Sequence, residues 1–183
     1  MPERDQQALL EAMATIGALL GDDPAPGAVE VHRARPGDLG WIVSRHGSLY
    51  AQEYGWDERM EGLTARVVAD FAKANDPARE AVWIAAAGGR RVGSIMCVAR
   101  GEGVAQLRLL LVEPSARGLG VGSRLVAECL DFAAGAGYRE IVLWTNSVLH
   151  GARRTYERAG FELVSEERQN WPDPVFQTWS RRL

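Results

Sequence analysis

Three glycines alternate at Gly118, Gly120 and Gly122, where an apolar run from Ala105 to Val112 gives way to a helical pattern of Val121, Leu125, Cys129 and Phe132 or Ala133. A chain that passes from strand to helix through such a loop belongs in an α/β or α+β sheet covered by helices on both faces. Missing side chains let the backbone fold tightly and let a ligand approach its N–H groups. Those groups are the unpaired donors of the first helical turn, and the helix dipole adds a positive field there. An anion is the natural ligand, with phosphate foremost. Arg117 adds a full positive charge, so the segment Arg117-Gly118-Leu119-Gly120-Val121-Gly122 reads as an anion-binding loop. The competing reading is a glycine-rich turn that only permits close packing.

Two familiar phosphate-loop chemistries fail on particular residues. A nucleoside-triphosphate loop ends in Gly-Lys-Ser/Thr, whereas the residues here are Gly122-Ser123-Arg124. A dinucleotide loop needs a third glycine three residues after the second and an acid at the end of the next strand. The third-glycine position is Ser123 or Leu125, and Glu140 stands at the start of that next strand.

The rest of the chain supports the sheet. Leu9, Met13, Ile16 and Leu20 have helical spacing and end at Gly21-Asp22-Asp23-Pro24, so residues 1–27 are expected to be a helix and linker ahead of a domain over 28–183. A strand at Val29 to Arg33 leads to a helix starting at Asp38, with Leu39, Ile42, Val43, His46 and Leu49 on one face. A second helix starts near Asp57 and runs through Leu63, Val67 and Phe71 to a stop at Asn75-Asp76-Pro77. Gly88-Gly89 reads as the turn of a hairpin, and Gly101-Glu102-Gly103 as another turn, giving three consecutive antiparallel strands. After the glycine loop come a helix, the strand Ile141 to Trp144, and a helix with Leu149, Ala152, Tyr156 and Ala159 inward and Gly160 as its stop. Two strands close the chain, from Phe161 to Val164 and from Val175 to Trp179.

Composition narrows the function. The chain has 183 residues, enough for one domain with a real core. Its formal charge of −3 gives no pull toward nucleic acid, and no apolar run reaches the roughly 20 residues of a membrane span. Cys97 and Cys129 both lie in apolar segments and read as reduced core thiols, which with the acidic start of the chain points to the cytosol. His32, His46 and His150 share no metal-ligand spacing, so no metal is expected.

The stretch from Leu109 to Phe161 resembles the Gcn5-related N-acetyltransferase superfamily. Its cofactor motif, Arg/Gln-x-x-Gly-x-Gly/Ala, is matched by Arg117 to Gly122. Leu110-Leu111-Val112-Glu113-Pro114 is similar to the strand end before that motif. Ala152 to Phe161 is similar to its Ala-x-x-x-Tyr-x-x-x-Gly-Phe segment. Within the family the likeness is greatest to the acetyltransferase half of MarR–acetyltransferase fusion proteins, on Ser44 to Tyr50, Tyr54-Gly55-Trp56 and Leu143-Trp144-Thr145-Asn146. The resemblance implies a mixed, mostly antiparallel sheet, splayed between the strand ending at Val112 and the one ending near Asn146. It implies acetyl-CoA as co-substrate, with the pyrophosphate on the loop, the pantetheine arm on the backbone of Leu110, Leu111 and Val112, and Tyr156 beside the sulfur.

The reaction so implied is attack of a primary amine on a thioester. A lysine-like amine with pKa near 10.4 costs about 4.6 kcal/mol to deprotonate at pH 7. Tyr156 suits the departing thiolate as a hydrogen-bond donor. The family's mid-strand glutamate falls on Gln106, and its asparagine on Leu149, so the base stays unassigned. Asn146 is a candidate contact to cofactor or acceptor, Glu53 and Trp144 are candidate acceptor contacts, and Glu113 reads as a solvated turn residue. The acceptor pocket is expected between the two early helices and the Glu166-to-Pro174 loop. The alternatives are an acyl-CoA-binding sensor without turnover and an interaction protein that docks through its first helix. That helix also makes a homodimer an expectation.

Overall fold

The computed structural model describes residues 28–74, 76–172 and 175–183, with Ala12, Met13, Ile16 and Gly17. Those four are helical, with Met13 and Ile16 exposed. The remainder of the helix expected over residues 5 to 20, and the linker after it, lie outside the described residues.

Strand β1 (Glu30–Arg33) is followed by helices α1 (Asp38–Tyr54) and α2 (Arg59–Ala74), then strands β2 (Ala81–Ala87), β3 (Arg90–Gly101) and β4 (Val104–Val112). A single 3₁₀ turn at Pro114–Ala116 leads to α3 (Val121–Gly135), β5 (Glu140–Asn146), α4 (His150–Arg158), β6 (Glu162–Arg168) and β7 (Val175–Arg182). The strands form one seven-stranded sheet in the order β1-β2-β3-β4-β5-β7-β6. Every neighbouring pair is antiparallel except β4 with β5. The mixed, mostly antiparallel sheet is therefore as expected.

Local chemistry explains most of the elements. Gly88 and Gly89 both take positive φ, 57° and 77°, as a two-residue hairpin between right-twisted strands requires. The aliphatic stripe of α3, Val121, Leu125, Cys129 and Ala133, lies buried against the odd-numbered residues of β2 and β3, including Trp83, Ile95 and Cys97. On the other face Ile42 of α1 packs with Val82, Ile84 and Met96, and Val67, Val68 and Phe71 of α2 border that cluster. Cys97 and Cys129 are free and buried, as expected of core thiols. Leu63 is 43% exposed, because the inner face of α2 runs through Met60 and Thr64, which puts Leu63 on the flank.

Candidate active site

The site lies where β4 and β5 part. They pair only from Val104 with Glu140 to Leu107 with Leu143. Beyond that point β4 stays bonded to β3 as far as Val112, while β5 follows β7 as far as Asn146. The strands thus splay, as expected, and the β5-facing edge of β4 from Arg108 onward has no strand beside it.

A bulge shapes that free edge. Ser94 pairs with Leu111 but Met96 pairs with Arg108, so β4 carries one residue more than β3 over this stretch. Leu109 takes φ 51°, a left-handed conformation that costs a leucine about 1–2 kcal/mol, and Ser94 Oγ donates to its carbonyl oxygen at 2.9 Å. An extra residue inverts the alternation of side chains. Ala105 and Leu107 face α3 before the bulge, and Leu110 and Val112 face it afterwards, while Leu109 joins the α1–α2 side.

The glycine loop sits at the open end of the splay. Gly118 and Gly120 have φ 79° and 77°, and a Cβ on either would meet nothing within 4 Å. Among the described residues the N–H groups of residues 118 to 123 make no well-formed backbone hydrogen bond, and the first helical bond of this region runs from Arg124 to the Gly120 carbonyl. An open concavity lined by unpaired donors at the start of α3 fits an anionic group such as a pyrophosphate.

Arg117 does not stand free beside this cradle. Its guanidinium pairs with the Glu53 carboxylate, with contacts of 2.8 and 2.9 Å, and its Nε donates to the Val112 carbonyl at 3.2 Å. Glu53, in the last turn of α1, therefore anchors the loop. Glu113 is not the solvated turn residue expected from its place before Pro114. Arg45 of α1 grips it through two bonds of 2.6 and 2.7 Å, and its side chain is 14% exposed. Two ion pairs thus tie α1 to the end of β4 and to the loop.

Tyr156 projects from α4 into the core beside Phe161, with ring centres 5.9 Å apart. Its hydroxyl makes no hydrogen bond to another described residue. Burial, with smaller contributions from Tyr50 and Cys129, pushes its pKa well above the ordinary tyrosine value. Tyr50 of α1 is raised likewise by burial and by Tyr54 and Glu53.

Asn146, at the end of β5, accepts a 2.9 Å bond from Gln169 and so holds the β6–β7 connection. That connection is shorter than expected, because β6 runs on to Arg168. Trp171 lies over the Arg59 guanidinium at 4.8 Å, which joins the connection to the start of α2. Trp144 is 40% exposed on the α1–α2 face, next to Phe176, with Arg100 and Arg108 over its ring. Gln106 is buried on the same face. The four positively charged or aromatic residues around the opening come from β3, β4, β5 and β7, and sequence spacing brings none but Trp144 to notice.

The chain matches the Acetyltransferase (GNAT) family profile over residues 46–161, more than half its length. It belongs to the GNAT family of acetyltransferases. The matched span runs from α1 to the end of α4 and so contains the splay, the loop and Tyr156. Among curated relatives, N-acetyltransferase 8F1 of Rattus norvegicus is 30% identical over 116 residues, covering 61% of this GNAT chain and 52% of the relative. N-acetylaspartate synthetase of Xenopus tropicalis is 36% identical over 85 residues, covering 45% and 31%. The chain thus spans about half, or less, of the length of these rat and Xenopus relatives. Among solved structures, a proposed acetyltransferase of Salmonella typhimurium with its cofactor acetyl-CoA superposes with TM-score 0.70 at 16% identity, over 85% of this chain and 94% of that one. A GNAT acetyltransferase of Staphylococcus aureus Mu50 gives 0.70 at 15% identity, over 85% and 99%. Among the described residues no helix is long and apolar enough to cross a membrane, and no cluster of metal-ligating side chains occurs.

Proposed function

We propose that this GNAT protein transfers the acetyl group of acetyl-CoA to a primary amine, by direct attack of the amine nitrogen on the thioester carbonyl. The observation that carries the reading is the run of unpaired N–H groups from residue 118 to 123, opening beside the free edge of β4. Acetyl-CoA supplies the activated acyl carbon and the thiolate leaving group. Gly118, Leu119, Gly120, Val121 and Gly122 hold the pyrophosphate through those N–H groups, and Arg117 adds charge that Glu53 partly offsets. The backbone of Leu110, Leu111 and Val112 takes the pantetheine arm along an edge that no strand occupies.

Tyr156 keeps its proton, because burial raises its pKa far above that of a thiol, so it acts as a hydrogen-bond donor to the departing sulfur and does not surrender the proton fully. Gln106 cannot accept a proton, so the amine's proton leaves to solvent. Glu53, Trp144 and Asn146 frame the acceptor side: Glu53 through Arg117, Asn146 through Gln169, and Trp144 by its exposed ring. The likeness to the MarR-fusion acetyltransferases and a cytosolic location belong to the same reading.

The departures at Gln106 and Leu149 keep one rival, an acyl-CoA-binding sensor without turnover. Both readings require the cofactor to stabilise the fold by RT ln(1 + [L]/Kd), about 2.7 kcal/mol at a 100-fold excess. For a chain of this size that corresponds to a melting shift of about 5–10 °C. Acetyl-CoA should give the shift, while ATP and NADH should not. No shift at millimolar acetyl-CoA would refute both readings, and CoA release with an amine panel separates transferase from sensor.

A further inference from the structure

Arg108 and Trp144 are the first residues past the last paired positions of β4 and β5, Leu107 and Leu143, so they stand at the vertex of the splay. The Arg108 guanidinium lies 5.3 Å from the centre of the Trp144 ring, and that of Arg100, near the end of β3, lies 4.8 Å from it. Among the described residues neither arginine has a carboxylate partner. The ion pairs among the described residues join Arg45 to Glu113, Arg59 to Asp57, Arg91 to Asp38 and Arg117 to Glu53. Asp70 of α2 favours the charge on Arg108 from a distance but forms no ion pair with it. Arg108 is half-buried, and its pKa is drawn down first by desolvation and then by Arg100. Beside it Gln106, 5% exposed, takes a long 3.4 Å contact from Arg108 on its Oε1. The Gln106 Nε2 is buried without an acceptor.

Two adjacent cations, one of them partly desolvated, repel each other, and a buried amide donor without an acceptor is unfavourable. Among the described residues the two guanidiniums find no anionic acceptor, and Arg108 has only its long contact with Gln106 Oε1. One anionic group held between the two arginines would offset both charges, with the Gln106 amide beside it. The planar fork of a guanidinium matches a carboxylate with two parallel bonds. A carboxylate suits the site better than a phosphate, because a monoanion is cheaper to dehydrate against a half-buried arginine. The vertex also lies at the free edge of β4, so a carboxylate bound there and an amine meeting the thioester can belong to one small molecule.

We propose that Arg100, Arg108 and Gln106 bind a carboxylate of the acceptor, which makes the acceptor a small amino carboxylate of the amino-acid class. The proposal rests on the amine-acetylating reading above, and the experiment keeps the two apart. Acetyl transfer is measured by thiol release from acetyl-CoA with the common amino acids, with the same compounds as their carboxamides, and with phosphoethanolamine. N-acetylated amino acids and their amides are titrated by calorimetry into the CoA-loaded protein, which gives a readout without turnover. Acids should exceed amides in kcat/KM by about 10- to 100-fold, the value of a charge-assisted contact. Arg108→Gln should raise KM for the acids by a similar factor, leave the affinity for acetyl-CoA unchanged and erase the preference. Arg100→Gln, at an exposed position, should weaken it and decides the matter if the Arg108 variant does not fold.

Equal use of acids and amides would overturn the proposal. So would a preference for phosphoethanolamine, or an acid preference that survives in the folded Arg108 variant. If acetyl-CoA binds but nothing is acetylated, failure of the N-acetylated acids to bind overturns it as well. Turnover of uncharged amines alone would sink the acceptor proposal and leave the transferase standing, whereas a protein that ignores acetyl-CoA would sink both.

Discussion

Replacing Gly93 with alanine should disturb the cofactor loop from beneath, without touching it. Gly93 lies on β3 opposite Val112, under the first turn of α3. A Cβ built there would stand 2.9 Å from the Leu111 carbonyl oxygen, 3.0 Å from Leu125 Cδ1 and 3.3 Å from Val121 Cγ1. Carbon atoms pack best at about 3.5–4.0 Å, so α3 has to retreat by roughly half an ångström or more, and the Leu111 backbone cannot yield cheaply. Overpacking of this kind costs about 1–3 kcal/mol, equivalent to a melting temperature lower by about 2–12 °C at this chain length. The retreat should also shift the N–H groups of residues 118 to 123 relative to β4, which the cofactor must contact together, so affinity for acetyl-CoA should fall beyond the loss of stability. Gly62→Ala in α2 is the control, because a Cβ there meets nothing within 4 Å. It should stabilise the protein by about 0.5–1 kcal/mol through helix propensity alone. Urea unfolding and calorimetry with acetyl-CoA read both effects. A Gly93→Ala protein with wild-type melting temperature and wild-type affinity would show that β3 and α3 are not packed this tightly.

Three further outcomes follow from the site. Tyr156→Phe should lower kcat by about 10²- to 10⁴-fold with little change in KM for acetyl-CoA, and with little loss of stability because the hydroxyl bonds to no other described residue; a drop below about threefold would return Tyr156 to a purely packing role. Gly120→Glu should stay folded apart from about 1–2 kcal/mol of left-handed strain, while losing cofactor binding by occupying and repelling the phosphate space; wild-type affinity in a folded variant would mean that the loop has another purpose. His46, whose Nδ1 meets the Ile42 carbonyl at 2.9 Å and whose Nε2 is buried without a partner, has its pKa lowered by burial to about 4. The unfolded chain, with a histidine near 6.5, therefore binds more protons between these values, so stability should fall as pH drops from about 6.5 to 4, by about 2 kcal/mol at pH 5; His46→Gln should remove that share of the slope, and an unchanged slope would show that His46 is not held neutral.

What was legible in the sequence are features set by a few neighbouring residues. Gly88-Gly89 specifies its hairpin because only glycine takes two successive positive φ values without strain. The spacing of Val121, Leu125, Cys129 and Ala133, and of Ala152, Tyr156 and Ala159, names the buried faces of α3 and α4 because helical period is a local property. The loop glycines likewise announce a free helix start. Other features could be decided only by residues distant in the chain. The bulge at Leu109 lies in a uniformly apolar run and exists only through its register against β3. The Arg45–Glu113 and Glu53–Arg117 pairs span 68 and 64 residues, so Glu113 read as solvated, and Glu53 gave no sign of its arginine partner, until α1 was laid across the end of β4. Arg100 and Arg108 mean nothing as a pair until a hairpin sets them over a tryptophan from a third strand. Sterics and periodicity act over a few residues and are written in order along the chain. Which charge meets which, and which is left without a partner, depends on how whole elements pack, and so only the folded sheet decides it.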